Sequence, residues 1–167
     1  MLFTNIAPEQ ITDNTFKLIG NDWMLVTGGT KHSHNCMTAS WGGFGILWHK
    51  PVVFVFIRPQ RYTNEFVEKH PYISLSFFDE SYRPQMQLCG TKSGRTIDKA
   101  AACNFSIFET QHKAIAYQEA RLVLECKILY AHQLQQDCFI DTSHLHHYAA
   151  GDFHIQYIAE ITECLIR

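Results

Sequence analysis

Strict alternation of apolar and polar residues marks three segments of the chain as half-buried β-strands. Apolar residues alternate with two serines in Tyr72–Phe78, and the same period recurs in Arg121–Tyr130 and Phe153–Ile161. A period of two places one set of side chains on the core face of a sheet and the other set toward solvent. In Arg121–Tyr130 this pattern assigns Glu125 to the outward, polar face.

Three further strands are predicted earlier in the chain. Residues 51–57 form an apolar run without a polar face, which is typical of a strand covered on both sides. Residues 22–29 predict a strand that ends at two glycines, and residues 35–41 predict the next one. No regular strand–helix–strand alternation favours a parallel doubly wound sheet.

Short helices are predicted between the strands. Thr63–His70 is amphipathic and is followed by Pro71, which cannot continue a helix. Two more short helices are expected near Pro84–Leu88 and over Thr96–Cys103. The residues Ile140–Ser143 predict the end of a strand leading into another short helix.

Many short strands with small helices between them suggest a Greek-key or partly open barrel, and therefore a mainly β fold. The length of 167 residues predicts one domain, residues 1–167. The usual glycine-rich nucleotide motifs are missing, because Gly43-Phe44-Gly45 lacks the third glycine and the helix that should follow it. A bound nucleotide or flavin would need another kind of site.

Composition narrows the range of functions. Apolar residues make up 46% of the chain and charged residues 18%, which predicts a packed core. The formal net charge of −2 argues against a nucleic-acid-binding surface. The longest apolar run, Val52–Ile57, is too short to span a membrane, and no secretory signal is visible at the N-terminus. We therefore expect a cytoplasmic protein.

The cysteines are scattered, with no CxxC pair, so they are expected to be reduced and mostly buried. Cys36 lies in the strand 35–41 and is expected to contribute packing rather than to act as a nucleophile. His144, His146 and His147 lie in a predicted helix but lack metal-ligand spacing, so no metal site is expected.

The strand 35–41 combines small side chains with one large ring. Thr38, Ala39 and Ser40 leave room for a flat ligand to lie along the strand and to accept hydrogen bonds from its backbone. Trp41 offers a rigid wall for stacking. The alternative is a buried strand with a structural tryptophan.

Two arginines and a hydroxyl follow the strand 51–57. Thr63 lies at the expected N-cap of the helix, so its hydroxyl and the first-turn amides would form a phosphate site. Arg58 and Arg61 are close enough in sequence to clamp the same phosphate. The alternative is that Thr63 only caps the helix while the arginines pair with surface carboxylates.

Two further features favour a cofactor. The loop 91–95 is rich in hydroxyls and glycine, and Lys99 lies one turn into the next predicted helix, where it would stabilise negative charge on a flavin. His154 follows Gly151-Asp152 at the start of the last strand, where an imidazole would orient a ring or a nicotinamide. The alternatives are a solvated loop and a hydrogen-bonded surface histidine.

Four segments carry a resemblance to a known family, namely Asn35–Trp41, Arg58–Thr63, Gly90–Lys99 and Gly151–His154. In this order they resemble the flavin reductase-like proteins with an FMN-binding split barrel, and within them the flavoredoxin-type branch. The likeness extends from about residue 20 to the C-terminus. It implies a six-stranded Greek-key split barrel that forms a homodimer, with FMN at the subunit interface.

The resemblance also implies roles for individual residues. His154 would lie near the flavin face that a reductant approaches, and is the expected catalytic residue. The expected cofactor-binding residues are Asn35, Met37, Thr38, Ala39, Ser40 and Trp41 along the ring and ribityl chain, Arg58, Arg61, Tyr62 and Thr63 toward the phosphate, and Ser93, Gly94 and Lys99 for further contacts.

Several members of the resembling family carry an unspaced Gly-Asp-His, whereas Phe153 separates Asp152 from His154 in this chain. The resemblance implies an FMN-binding oxidoreductase that takes electrons from NAD(P)H and passes them to an acceptor. The alternative is a non-enzymatic FMN-binding electron-transfer protein, without a nicotinamide site, that exchanges electrons with a redox protein. A third interpretation is a relative of the pyridoxamine-phosphate oxidase barrels that uses FMN on another substrate, binds haem or has lost its cofactor.

Overall fold

The computed structural model describes residues 2–167. The strands are β1 (Thr4–Asn5), β2 (Met24–Thr30), β3 (Ser33–Ala39), β4 (Gly42–Leu47), β5 (Lys50–Ile57), β6 (Tyr72–Phe77), β7 (Ile107–Glu109), β8 (Ile115–Tyr117), β9 (Leu122–Gln133) and β10 (Ile155–Ile166). The α-helices are α1 (Thr15–Lys17), α2 (Tyr62–Val67), α3 (Arg83–Thr91) and α4 (Lys99–Ala102). Pro8–Gln10, Glu80–Tyr82, Gln136–Cys138 and Thr142–Tyr148 are 3₁₀ helices, and Leu18–Asp22 is a π-helix.

Eight strands form one antiparallel sheet in the order β3-β2-β6-β9-β10-β5-β4, with β1 added to β10. The mainly β fold is confirmed, and each of the six strands predicted from alternation and apolar runs is present. The expected count of six is wrong, because β1 and β4 join the sheet. Glycine occupies three of the six positions of β4, so the segment shows neither strict alternation nor a continuous apolar run, and the sequence pattern did not predict a strand there.

The sheet curls into a split barrel, as a short connection demonstrates. Strands β3 and β4 lie at opposite ends of the strand order, yet only Ser40 and Trp41 separate them in sequence. A chain reaches at most about 3.6 Å per residue, so the two edges of the sheet must lie close together. Trp41 thus occupies the gap between the edges rather than the strand in which the sequence placed it.

The interior of the barrel holds one apolar core, which includes the fully buried Val26, Val55, Leu75 and Leu124. Helix α2 packs across β2 at Gly28, where an added Cβ would lie 3.0 Å from the Val67 backbone nitrogen and its Cγ2. The missing side chain on β2 therefore brings the end of α2 close to the sheet.

A second apolar cluster lies outside the barrel wall and contains residues of α3, the hairpin β7–β8 and the outward face of β9, among them Val123. The same hairpin buries Glu125 completely. The prediction that Glu125 faces solvent is wrong, because the hairpin was not predicted and covers that face of the strand.

Two local predictions differ from the structure. Ile140 is almost fully exposed and Ile140–Ser143 contains no strand, although the following helix is present as Thr142–Tyr148. Helix α2 begins at Tyr62 with Arg61 as its N-cap residue and ends at Val67, so Thr63 lies inside the first turn rather than at the cap. Within residues 2–167, the helices are all too short or too polar to cross a membrane.

Candidate functional site

The end of β3 and the following linker line a cavity of about 210 Å³, here called the Trp41 cavity. Its wall consists of Met37, Thr38, Ala39, Ser40, Trp41, Phe56, Arg58, Arg61 and His154. Trp41 is 44% exposed, so its ring forms an open edge of the cavity instead of part of the core. The cavity therefore combines the small side chains at the end of β3 with an aromatic wall.

A second cavity of about 140 Å³, here called the Ser93 cavity, shares Arg61 with the first. It is lined by Asn35, Gln60, Arg61, Tyr62, Thr63, Gly90, Thr91, Lys92, Ser93, Gly94, Arg95 and Lys99. A third cavity of about 440 Å³, the Cys36 cavity, shares Asn35, Gly94 and Lys99 with the Ser93 cavity and also contains Cys36. Every residue that the sequence predicted for the site therefore lines one of three adjoining cavities.

Arg61 stands between the Trp41 and Ser93 cavities with its charge uncompensated. Its guanidinium donates a hydrogen bond to the Gly90 carbonyl at 3.0 Å. No carboxylate among residues 2–167 forms an ion pair with it. Burial and then the neighbouring charge of Arg58 lower its pKa. A bound anion would offset both effects, because an opposite charge stabilises the charged guanidinium.

Arg58 differs from Arg61 because it already has a carboxylate partner. Its guanidinium forms an ion pair with Asp152 and donates to the His147 carbonyl at 3.0 Å. Gln60 donates to the same Asp152 carboxylate at 2.6 Å. The alternative in which an arginine pairs with a carboxylate therefore applies to Arg58 but not to Arg61, and Arg58 shapes the cavity wall together with the loop before β10.

The backbone at Gly94 passes very close to Asn35. An added Cβ on Gly94 would lie 1.9 Å from the Asn35 Oδ1 atom, which no side chain can tolerate. The Asn35 amide is itself fixed, since it donates to the Thr63 hydroxyl at 2.8 Å. The close approach brings the loop against β3 and α2, and it leaves the loop backbone exposed to the Ser93 cavity.

Lys99 is more deeply buried than a surface loop would allow, at 5% exposure. It is the first residue of α4, and its ammonium donates to the Cys36 carbonyl at 2.7 Å and to the Cys89 carbonyl at 2.9 Å. Burial lowers its pKa. The interpretation as a solvated loop is wrong for this residue, whose charge lies beneath β3 in the wall of two cavities.

His154 precedes β10 and is only 8% exposed. Its Nδ1 atom lies 3.0 Å from the Tyr148 hydroxyl, and its ring centroid is 5.1 Å from that of Trp41. Burial, and next the positive charge of Arg58, lower the pKa of His154 to about 4. The imidazole is therefore neutral at pH 7, and Nε2 is the nitrogen left free of Tyr148.

The low pKa of His154 predicts acid sensitivity of the fold. The unfolded chain has an ordinary histidine pKa near 6.5 and takes up the proton first, so stability is lost as the pH falls from about 6.5 toward 4. We expect about 2 kcal/mol less stability at pH 5 than at pH 7 from this residue. Urea unfolding at both pH values measures it, and His154→Gln should reduce the difference; an equal difference in the variant would contradict the assignment.

The histidine-rich segment lies beside the Trp41 cavity but not within it. The His147 ring lies edge-on to the Trp41 ring with 5.4 Å between their centroids, and partial desolvation, followed by the neighbouring histidines, lowers the pKa of His147. Within residues 2–167, His, Cys, Asp and Glu side chains form no group of three or more that is arranged to hold a metal ion.

The sequence did not predict three residues of the site. Tyr148 contacts His154, Phe56 lines the Trp41 cavity, and Asp152 pairs with Arg58. Tyr148 is buried, stacks on Phe153 and holds His154, although its only sequence signal was an aromatic residue six positions before the histidine. Phe153, which interrupts the motif of the resembling family, stacks on Tyr148 and thereby helps to position the tyrosine hydroxyl that contacts His154.

Comparison with a family model gives a match over residues 16–167 to the flavin reductase like domain. No curated protein sequence matches the chain.

Solved structures match over most of the chain at low identity. Flavoredoxin from Methanosarcina acetivorans has a TM-score of 0.72 and 20% identity, over 97% of this chain and 76% of that one. The FMN-binding protein from Thermus thermophilus has a TM-score of 0.69 and 19% identity, over 96% and 76%. An NADH:FAD oxidoreductase from Streptomyces globisporus has a TM-score of 0.66 and 14% identity, over 87% and 75%. At such identities the likeness establishes the fold.

Proposed function

The chain belongs to the flavin reductase-like domain family, and on this premise we propose that it is an FMN-binding oxidoreductase that takes electrons from NAD(P)H and passes them to an acceptor. Two of the similar structures support this proposal, because one is an FMN-binding protein and the other is an NADH:FAD oxidoreductase.

The observation that carries the proposal is the position of Arg61. A half-buried guanidinium without a carboxylate partner among residues 2–167 lies where an aromatic-walled cavity meets a glycine- and hydroxyl-rich cavity. Guanidinium groups bind phosphate through paired hydrogen bonds, and aromatic rings bind flat conjugated rings. FMN carries both groups on one molecule.

The residues present fit the two ends of FMN. For the phosphate, the Ser93 cavity supplies Arg61, the Ser93 hydroxyl and the glycine backbone next to Asn35. For the ring system, the Trp41 cavity supplies the small residues of β3 and the rings of Trp41 and His154. Their connection through Arg61 supports one ligand that spans both cavities.

When bound, the flavin would supply a ring that can accept a hydride, which no amino-acid side chain provides. The chain's own residues would position it. His154 is neutral and held by Tyr148, so it offers a ring nitrogen without adding charge. Lys99 places a positive charge beneath β3, which stabilises negative charge at the cavity wall.

Anaerobic reduction tests the proposal. We expect the FMN-loaded protein to lose its visible flavin absorbance when NADH or NADPH is added in the absence of oxygen. His154→Ala should slow this bleaching while retaining FMN, whereas Arg167→Ala, which lines none of the three cavities, should behave like the parent. No bleaching by either nucleotide, with rapid bleaching by a reduced ferredoxin-type protein, would contradict the oxidoreductase and support the electron carrier.

The proposal includes a homodimer in the cytoplasm. Phe16 is 89% exposed and lines, together with Trp41, a further cavity of about 520 Å³ next to the proposed ring site. A second subunit would cover this apolar surface and close the Trp41 cavity. Sedimentation equilibrium should give twice the chain mass of 19.3 kDa; a monomer mass at micromolar concentration would contradict it.

A further inference from the structure

Three buried thiols meet beneath the floor of the proposed cofactor site. Cys36 lies on β3, Cys89 on α3 and Cys103 just after α4, and all three are at most 4% exposed. The Cys36 and Cys89 sulfurs are 3.9 Å apart, and the Cys89 and Cys103 sulfurs are 3.7 Å apart. Cys89 is therefore the central sulfur of the cluster.

A buried ammonium connects the first two cysteines. Lys99 Nζ donates to the carbonyl oxygens of both Cys36 and Cys89, and no carboxylate among residues 2–167 forms an ion pair with it. A positive charge next to a thiol favours the thiolate, which is the reactive form. The hydrogen bond with Cys89, followed by the Tyr117 hydroxyl and the Lys99 charge, lowers the pKa of Cys36 in spite of its burial.

The cluster is within reach of a small oxidant. Cys36 lines the Cys36 cavity of about 440 Å³ together with Asn35, Lys99 and Tyr117. Cys89 supplies the second thiol 3.9 Å away, and it stays protonated while Cys36 reacts because Cys36, followed by burial, raises the pKa of Cys89. The structure thus contains an activated thiol and a neighbouring second thiol.

We propose that Cys36 and Cys89 form a redox-active thiol pair that reduces a hydroperoxide and becomes an intramolecular disulfide. The Cys36 thiolate attacks one peroxide oxygen, the O–O bond breaks, and the other oxygen leaves as the alcohol or as water after protonation. Cys36 is then a sulfenic acid. The Cys89 sulfur attacks it, the S–S bond forms, the S–O bond breaks, and the Cys89 proton leaves with the oxygen as water.

The reaction is balanced, because two thiols give two electrons and two protons to one hydroperoxide. The sulfurs must approach by roughly 1.8 Å to reach disulfide bonding distance. The site does not depend on a bound flavin. Reduced flavins do react with oxygen, however, so a peroxide-reducing pair beside a flavin site would meet its substrate there.

Mass spectrometry tests the proposal on the full chain with Cys138→Ser, which removes the exposed thiol. After a stoichiometric amount of hydrogen peroxide, we expect the loss of two hydrogen atoms and one linked peptide pair joining Cys36 to Cys89. Cys164→Ser in the same background is the matched control, because it also removes a buried cysteine but leaves the cluster intact, and it should still form this link. Cys103→Ser should form the link as well.

Cys89→Ser should instead stop at a sulfenic acid on Cys36, which gains one oxygen atom and reacts with dimedone. An unchanged mass, or a disulfide that joins any other two cysteines, would overturn the proposal. Because the linked peptide is read in protein with its cluster intact, the result does not depend on whether a cluster variant folds. Flavin binding plays no part in the measurement, so its outcome is separate from that of the proposed function.

Discussion

Replacement of Arg61 by alanine is expected to weaken FMN binding about 10- to 100-fold while leaving riboflavin binding nearly unchanged. Arg61 is the guanidinium that lacks an ion-pair partner within residues 2–167, and it stands where the two cavities meet. A charge-assisted hydrogen bond to phosphate contributes about 1.5–3 kcal/mol, and riboflavin has no phosphate to lose.

The comparison of the two ligands separates a phosphate contact from damage to the fold. Titration of the protein's effect on flavin fluorescence gives both dissociation constants. Arg167→Ala is the matched control, because it removes a guanidinium that contacts Gln118 and Phe3 and lines none of the three cavities. Equal weakening of FMN and riboflavin in Arg61→Ala would show that the residue supports the cavity but does not bind the phosphate.

Replacement of Glu125 by alanine is expected to destabilise the protein by about 3–5 kcal/mol. The carboxylate is fully buried and accepts hydrogen bonds from the Thr110 hydroxyl, the His112 backbone at 2.7 Å and the Thr162 hydroxyl at 2.8 Å, while His112 Nδ1 lies 2.6 Å away. Burial raises the pKa of Glu125, but these hydrogen bonds outweigh burial and the pKa lies below its ordinary value. Its removal leaves several buried donors without an acceptor.

Urea unfolding at pH 7 measures the effect, and Glu125→Gln provides a milder variant in case the alanine protein does not fold. Glutamine keeps one acceptor oxygen, so a loss of about 1–3 kcal/mol is expected. Glu109→Gln on the same hairpin is the control, because that side chain is exposed and should change stability by less than about 0.5 kcal/mol. A Glu125→Ala protein as stable as this control would contradict the account of the hairpin.

The sequence predicted the barrel well where each strand carries its own signal. Tyr72–Phe78 alternates and 51–57 is continuously apolar, and both correspond to strands of the sheet. Strand β4 was missed because its glycines carry no apolar pattern, and it is held by pairing with β5. The burial of Glu125 was missed for a related reason, since the three-residue strands β7 and β8 are too short to show a period.

The candidate site was predictable as a set of residues but not as a set of contacts. The sequence grouped Arg58, Arg61 and Lys99 as cations for one ligand. The structure distinguishes them, because Arg58 pairs with Asp152, Lys99 is bonded to two carbonyls, and Arg61 is without a carboxylate partner in the described chain. Such differences depend on residues far apart in sequence, which no local pattern reveals.

Equilibrium titration of the purified, flavin-free protein with FMN tests the central claim most directly. We predict saturable binding at one FMN per chain, with quenching of Trp41 fluorescence because that ring forms the edge of the proposed ring site. Trp48→Phe should leave the quenching intact, whereas Trp41→Phe should remove most of it. A protein that shows no saturable FMN binding, or that quenches equally after Trp41→Phe, would contradict the assignment of the two cavities to FMN.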